Sequence, residues 1–276
     1  MAQKVTRREM LTVLGAAAAS RAFAFAPIVP ATRIDHASLA VKDIDQAMIF
    51  YRALFGNEVM KDNKTARRFM RIGPCYLSIA PAPAGQAIRI DHVCAGVENV
   101  EMVASLKTAA EHAGLRLKGS SSDFTISDPD GTSIQISPNN TWPNMPNAAP
   151  EFGGRSEPIF RAMGMHHIAI RVSDMEKSTA FYRKVFGDEV RHQGTPPQPW
   201  FQAGETSIGL YYPTTGKPDV DHFSVLVEAF DAPAAVKKLQ ALGAKAELSR
   251  TGTLAEFYDP QGIRLQVSTA PATSNR

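Results

Sequence analysis

A short apolar run with a histidine near its start occurs four times in this chain of 276 residues. The copies are Asp35-His36-Ala37-Ser38-Leu39-Ala40-Val41, Asp91-His92-Val93-Cys94-Ala95-Gly96-Val97, His166-His167-Ile168-Ala169-Ile170-Arg171-Val172 and Asp221-His222-Phe223-Ser224-Val225-Leu226-Val227. Each reads as a buried strand. A helix-like segment follows each copy, and then further short strands. One histidine on an apolar strand is ordinarily a core residue. One at the same place in four copies is better read as a functional set.

The copies belong to a larger repeat. The stretches 41–60 and 172–191 align without a gap and share Phe-Tyr-Arg at 50–52 and 181–183, Phe-Gly at 55–56 and 186–187, and Glu-Val at 58–59 and 189–190. The second and fourth units share a different ending, Asp128-Pro129-Asp130-Gly131 against Asp259-Pro260-Gln261-Gly262, each leading into a strand that carries Gln135 or Gln266. The order is A-B-A′-B′ with a period of about 50 residues, which calls for a repeat architecture. Each unit reads strand, helix, three strands. Ile44, Ala47, Met48, Tyr51, Leu54 and Phe55 fall on one helical face. Asp43 with Gln46, and Ser173 with Glu176, have the spacing of capping boxes. The Phe-Tyr pair is read as helix packing on a sheet, and Asp-Pro-x-Gly as a hairpin turn. The Pro-, Asn- and Gly-rich stretch 139–162 reads as a linker between two halves.

The N-terminus reads as an address. Thr6-Arg7-Arg8-Glu9-Met10-Leu11 is a twin-arginine pattern, an apolar run reaches Ala19, and Ala22-Phe23-Ala24 offers a small-x-small cleavage site. The run is shorter than the ~20 residues that span a bilayer. The expectation is a signal peptide over 1–24, a short linker over 25–32, and a periplasmic or secreted product with no stable membrane anchor. Lys4, Arg7, Arg8, Arg21 and Glu9 give that segment +3, the same as the net +3 of the whole chain. The mature part is therefore near neutral, and no later basic run is interleaved with aromatics, which excludes nucleic-acid binding. An oxidising compartment would permit a disulfide between Cys75 and Cys94, but Cys94 lies in an apolar strand and reads as a buried free thiol.

The His-bearing first strand, the Phe-Tyr-x-x-x-Phe-Gly helix end and Asp-Pro-x-Gly before the last strand together resemble the vicinal oxygen chelate superfamily, over about 33–268. That superfamily includes glyoxalase I, bleomycin-resistance proteins and extradiol dioxygenases. The resemblance implies an α+β fold of four βαβββ modules, at 33–83, 88–138, 163–214 and 218–270, paired into two cupped mixed sheets, with a tail over 271–276. It implies a divalent metal held inside a cup by first- and last-strand residues, where it polarises vicinal oxygens of a small molecule. Carried over by position, the ligands are His167, His222 and Gln266 in the second half, with His36, His92 and Gln135 as the equivalent set in the first. In units one and three the last-strand position falls near Ser78 and Gly209, which are poor ligands. Neutral imidazole suits Fe, Ni, Zn and Mn.

The pattern also departs from that of the family. Gln266 stands where most family enzymes have Glu, and Glu256 where the ring-cleaving branch has Tyr, so ring cleavage is not the first expectation. Strand alternation from that tyrosine puts Glu256 inside the cup beside Gln266, as a ligand or a general base. Arg171, four residues after His167, is placed to bind an anionic group. Trp200, Phe201, Tyr211 and Tyr212 are candidates for the cup's mouth. Two readings follow. One is an exported divalent-metal-dependent enzyme of the glyoxalase or dioxygenase type, with the second half active and a homodimer allowed. The other is a non-catalytic binding or sequestering protein of the bleomycin-resistance type.

Overall fold

The structure, a computed structural model, describes residues 26–139, 147–151, 157–194, 196–212, 216–254 and 256–269. The export address over 1–24 lies outside the described residues. Among the described residues no helix is long and apolar enough to cross a membrane.

The first module is β1 (Arg33–Val41), α1 (Ile44–Phe55), β2 (Val59–Asp62), β3 (Arg68–Ile72) and β4 (Cys75–Pro81). The second is β5 (Arg89–Val97), α2 (Val100–His112), β6 (Arg116–Gly119), β7 (Phe124–Ser127) and β8 (Ser133–Pro138). The connecting stretch read as a linker contributes β9 (Ala148–Pro150), which pairs with β2, and buries Phe160 in the core. The second half repeats the plan. Its modules are β10 (Ala162–Arg171), α3 (Met175–Phe186), β11 (Arg191–Gln193), β12 (Gln198–Ala203) and β13 (Thr206–Tyr211), then β14 (Asp219–Val227), α4 (Ala232–Ala241), β15 (Lys245–Ala246), β16 (Glu256–Tyr258) and β17 (Arg264–Thr269).

The four-module α+β architecture is therefore as the repeat implies. Within each half the two histidine-bearing strands lie side by side, antiparallel, each flanked by the parallel last strand of its own module. The strand order is β2-β3-β4-β1-β5-β8-β7-β6 in the first half and β11-β12-β13-β10-β14-β17-β16-β15 in the second. One face of each sheet packs on helices. The other forms the cup, so the two modules of a half build one cup.

The helix starts show where local rules hold. Asp43 caps α1 by accepting from the Gln46 amide at 3.0 Å. The cap of α3 is Asp174, which accepts from the Lys177 amide at 3.1 Å, and not Ser173. Ser173 is drawn away by Asp130, whose carboxylate accepts from its backbone amide at 2.9 Å.

That contact belongs to the joint between the halves. Both Asp-Pro-x-Gly sequences form hairpin turns, with Gly131 N bonding Asp128 O and Gly262 N bonding Asp259 O. Each turn also reaches into the opposite half. Tyr51 of α1 donates to Asp259 at 3.1 Å, and Tyr182 of α3 donates to Asp128 at 3.2 Å. Gln261 accepts from the amides of Lys42 and Asp43 at 2.7 and 2.9 Å, as Asp130 does from Ser173. The Phe-Tyr helix motif and the Asp-Pro-x-Gly turn are therefore partners across the pseudo-twofold. All four Tyr and Asp side chains are buried, and burial pushes both carboxyls above the usual range. Each carboxyl accepts two turn amides on one oxygen and the tyrosine hydroxyl on the other, so both oxygens are satisfied in a buried place where an unpaired one would be costly.

Candidate functional site

Successive residues on a strand face opposite ways, so an aspartate just before a histidine should lie across the sheet from it. The register shifts in the paired first strands remove that separation. The pairing skips Asp35 and Asp91 between β1 and β5, and His166 and Asp221 between β10 and β14. Each is the extra residue of a β-bulge, which turns its side chain toward the following histidine. Asp35 meets His36 Nδ1 at 3.4 Å, Asp91 meets His92 Nδ1 at 3.0 Å, and Asp221 meets His222 Nδ1 at 2.7 Å. In the third module the bulged residue is itself a histidine, and His166 Nδ1 lies 2.8 Å from His167 Nδ1.

In the second cup these anchors leave His167 Nε2 and His222 Nε2 facing one another at 3.1 Å, both rings buried. Asp221 takes the Nδ1 proton of His222, which leaves its Nε2 lone pair to point at His167. His167 Nε2 meets it either as an N–H that donates to it or, in the other tautomer, as a second lone pair, which a cation between the two rings would accommodate. Nitrogens bound at about 2.0–2.1 Å to one ion reach this spacing without moving, and a carboxylate on the far nitrogen is the usual orienting partner of a metal-binding imidazole. The donor set therefore fits a divalent metal. Gln266 hydrogen-bonds His167, and β17 sets it beside Ser224, one pleat along the cup from His222.

The acidic and basic groups around the pair are tightly engaged. Glu256 lies opposite Gln266 across β16 and β17, on the cup face. Its carboxylate is turned onto Arg264, 2.5 Å away, and is 45% exposed. Arg264 also holds Asp221 at 2.6 Å, and Arg171 holds Asp221 at 3.2 Å and Asp219 at 2.6 Å. Burial alone would raise Asp221, but His222 and the two guanidinium charges outweigh it and hold the carboxyl below the usual range. Arg171, Asp219, Asp221 and Arg264 border a cleft of about 160 Å³ that also includes Tyr258.

Trp200 lies on Gly209, where a Cβ would come within 2.8 Å of the indole. Its ring meets His167 at 5.3 Å and Tyr211 at 5.9 Å, so both aromatics wall the cup. The buried Trp200 Nε1 has no hydrogen-bond partner among the described residues. Arg191, exposed at the rim, stacks over Trp200. Phe201 points the other way and packs on Tyr182, because it neighbours Trp200 on a strand. Asp221, His166 and Arg264 were not singled out by sequence reasoning. The signal for them was the residue preceding each histidine and the arginine two before Gln266.

The first cup repeats the histidine geometry. The rings of His36 and His92 are 5.5 Å apart at 79°, against 5.3 Å and 80° for His167 and His222. No ring-nitrogen contact within hydrogen-bond distance joins them among the described residues. Gln135 donates to Asp123 at 2.7 Å. The donor atoms of Asp35, His36 and Cys94 also gather within 4.8 Å of one another. Asp35, however, is engaged by Arg33, and burial pushes the Cys94 thiol far up, away from the thiolate that binds metals. Cys75 and Cys94 are both free and buried. The second cup is the better candidate.

Burial, with His222, His166 and Arg191 nearby, pushes His167 down to about 3. An unfolded histidine protonates near pH 6.5, so between these values the unfolded chain binds the extra proton. The contribution of His167 is full above pH ~6.5 and is lost as pH falls toward 3. Urea midpoints at neutral and acid pH should show a steeper acid loss for wild type than for His167→Gln.

Comparison with known proteins places the whole repeat. The family model described as Glyoxalase/Bleomycin resistance protein/Dioxygenase superfamily matches residues 33–136 and 164–267. Mitochondrial methylmalonyl-CoA epimerase of Mus musculus is 25% identical over 126 residues, covering 38% of this chain and 71% of that protein. The 2,3-dioxygenase LapB from Pseudomonas sp. KL28 superposes with a TM-score of 0.64 at 16% identity, covering 89% of this chain and 96% of that one. The Mn(II)-bound glyoxalase from Novosphingobium aromaticivorans does so with 0.62 at 16% identity, covering 87% and 82%. At such identities the structural likeness speaks for the fold.

Proposed function

The chain belongs to the Glyoxalase/Bleomycin resistance protein/Dioxygenase superfamily, and from that premise we propose that its second half is a divalent-metal-dependent catalytic cup. The observation that carries this is the 3.1 Å convergence of His167 and His222 Nε2, each imidazole anchored at its other nitrogen. A bound Fe, Mn, Zn or Ni ion would supply Lewis-acid polarisation of substrate oxygens. The side chains do the rest. Asp221 fixes the His222 ring and tautomer, and Arg171 and Arg264 fix Asp221. Gln266 steadies His167 and offers an amide oxygen. Trp200 and Tyr211 wall off water, and the unpaired Trp200 N–H donates to an acceptor on the substrate. Glu256, on the cup face, moves a proton after parting from Arg264 or completes the metal's ligands. The substrate class is a small oxygen-rich molecule.

The non-catalytic binding reading is favoured by one observation, the engagement of Glu256 by Arg264, which leaves no free carboxylate beside the histidines among the described residues. Metal analysis of protein from its native host, with turnover measured on a panel of catechols and α-ketoaldehyde adducts, separates the two. Glu256→Gln should keep metal and lower turnover by ~10²–10⁴ if Glu256 is the base, and lose metal if it is a ligand. Unchanged metal and turnover would remove Glu256 from the site.

Export belongs to the same proposal, since the twin-arginine route carries folded proteins with cofactors in place. N-terminal sequencing of periplasmic protein should begin at or near Phe25. Full-length chain accumulating in the cytoplasm would contradict this.

A further inference from the structure

The two cups share their histidine geometry and differ in charge. Beside the first pair, β1 and β4 set Ser38 against Ser78, both buried. Their hydroxyls accept from one nitrogen of Arg67, Ser38 at 3.3 Å and Ser78 more closely. The matching place in the second cup is Ala169 against Gly209, where Trp200 lies. Arg67 is one residue before β3, and its parity follows from the pairing of Phe69 with Ser78, so it enters the cup.

Arg33, Arg68, Arg71 and Arg89 on the neighbouring strands each reach a carboxylate. Among the described residues none lies within ion-pair distance of Arg67. A guanidinium is charged at every accessible pH, and with Nη1 held by the serines its other N–H groups remain for an anion. The adjoining wall is apolar and aromatic. Met60, Phe69 and Tyr76 pack together, and Tyr76 stacks on His36 at 4.5 Å and 24°.

We propose that the first cup is an anion site, and that it binds a small planar organic carboxylate. Arg67 takes the carboxylate, and the Phe69 and Tyr76 wall takes the flat body. The same fixed positive charge works against a dication at the adjoining His36 and His92 pair, and the carboxylate behind His36, Asp35, is itself taken up by Arg33. Arg191 bears on the second pair only from an exposed rim position, where water screens it. The two halves have thus diverged into an anion-binding cup and a metal-binding cup.

The test is calorimetric titration of the intact protein with benzoate, benzamide and inorganic phosphate. Benzoate should bind once per chain, with benzamide, which lacks the charge, and phosphate, which lacks the flat body, each at least about tenfold weaker. Arg67→Gln should weaken benzoate about tenfold or more, while His167→Gln leaves it unchanged. A second readout uses wild type alone: benzoate should shift the ring signals of His36 and Tyr76 and not those of His167. No saturable benzoate binding, binding indifferent to Arg67→Gln, shifts at His167 in place of His36, or phosphate binding more tightly than benzoate would each overturn the proposal.

Discussion

Gly204→Ala should destabilise the protein by more than about 3 kcal/mol, among the larger effects of a single methyl group. Gly204 turns the chain between β12 and β13 at φ 62°. A Cβ there would lie 1.9 Å from the carbonyl carbon and oxygen of Thr32, where the first half begins. Those are backbone atoms, so relief requires the halves to move apart. The symmetric position behaves alike, since a Cβ on Gly73 would lie 2.2 Å from the carbonyl oxygen of Met163. The control is Gly114→Ala, at φ 71° with nothing within 4 Å, which should cost only the ~1–2 kcal/mol of a left-handed residue. In thermal melts Gly204→Ala should lower Tm by roughly 6–12 °C. Equal effects at Gly204 and Gly114 would mean that the joint between halves is loose.

Asp221→Ala should show the second large effect, on stability and on metal binding together. Asp221 accepts from His222 and is held by Arg171 and Arg264. Its loss strips a mostly buried ion network of its centre, at about 2–4 kcal/mol, somewhat below a fully buried pair. It also frees the His222 ring, and loss of such an orienting partner typically costs 10–100-fold in metal affinity, roughly. Asp219→Asn is the matched control. Among the described residues Asp219 engages only Arg171, and it is 40% exposed, so its loss should cost less than about 1 kcal/mol and leave metal affinity unchanged. An Asp221→Ala protein with wild-type affinity for metal would show that His222 needs no anchor.

The four modules and their histidines were legible in the sequence because strand and helix periods repeat locally. The role of Asp221 was not, because alternation puts neighbouring residues on opposite faces and only a bulge reverses that. The bulge arises from pairing two strands that are 55 residues apart at His167 and His222. The joint was hidden for the same reason. Tyr51 and Asp259 each looked local, one a helix-packing residue and one a turn former, yet they bond across 208 residues. Ser78 was read only as a poor metal ligand, and its partner Arg67 lies on a segment without periodic signal.

The central claim is that one cup, the second, holds one metal ion. Titration of the purified, metal-stripped protein with Mn(II), Fe(II), Zn(II) and Ni(II), read as bound equivalents, tests it most directly. Wild type should bind one equivalent of at least one of these ions. The His167→Gln/His222→Gln protein should bind none, and the His36→Gln/His92→Gln protein should still bind one. No binding by wild type, or an equivalent that survives loss of His167 and His222, would contradict the account.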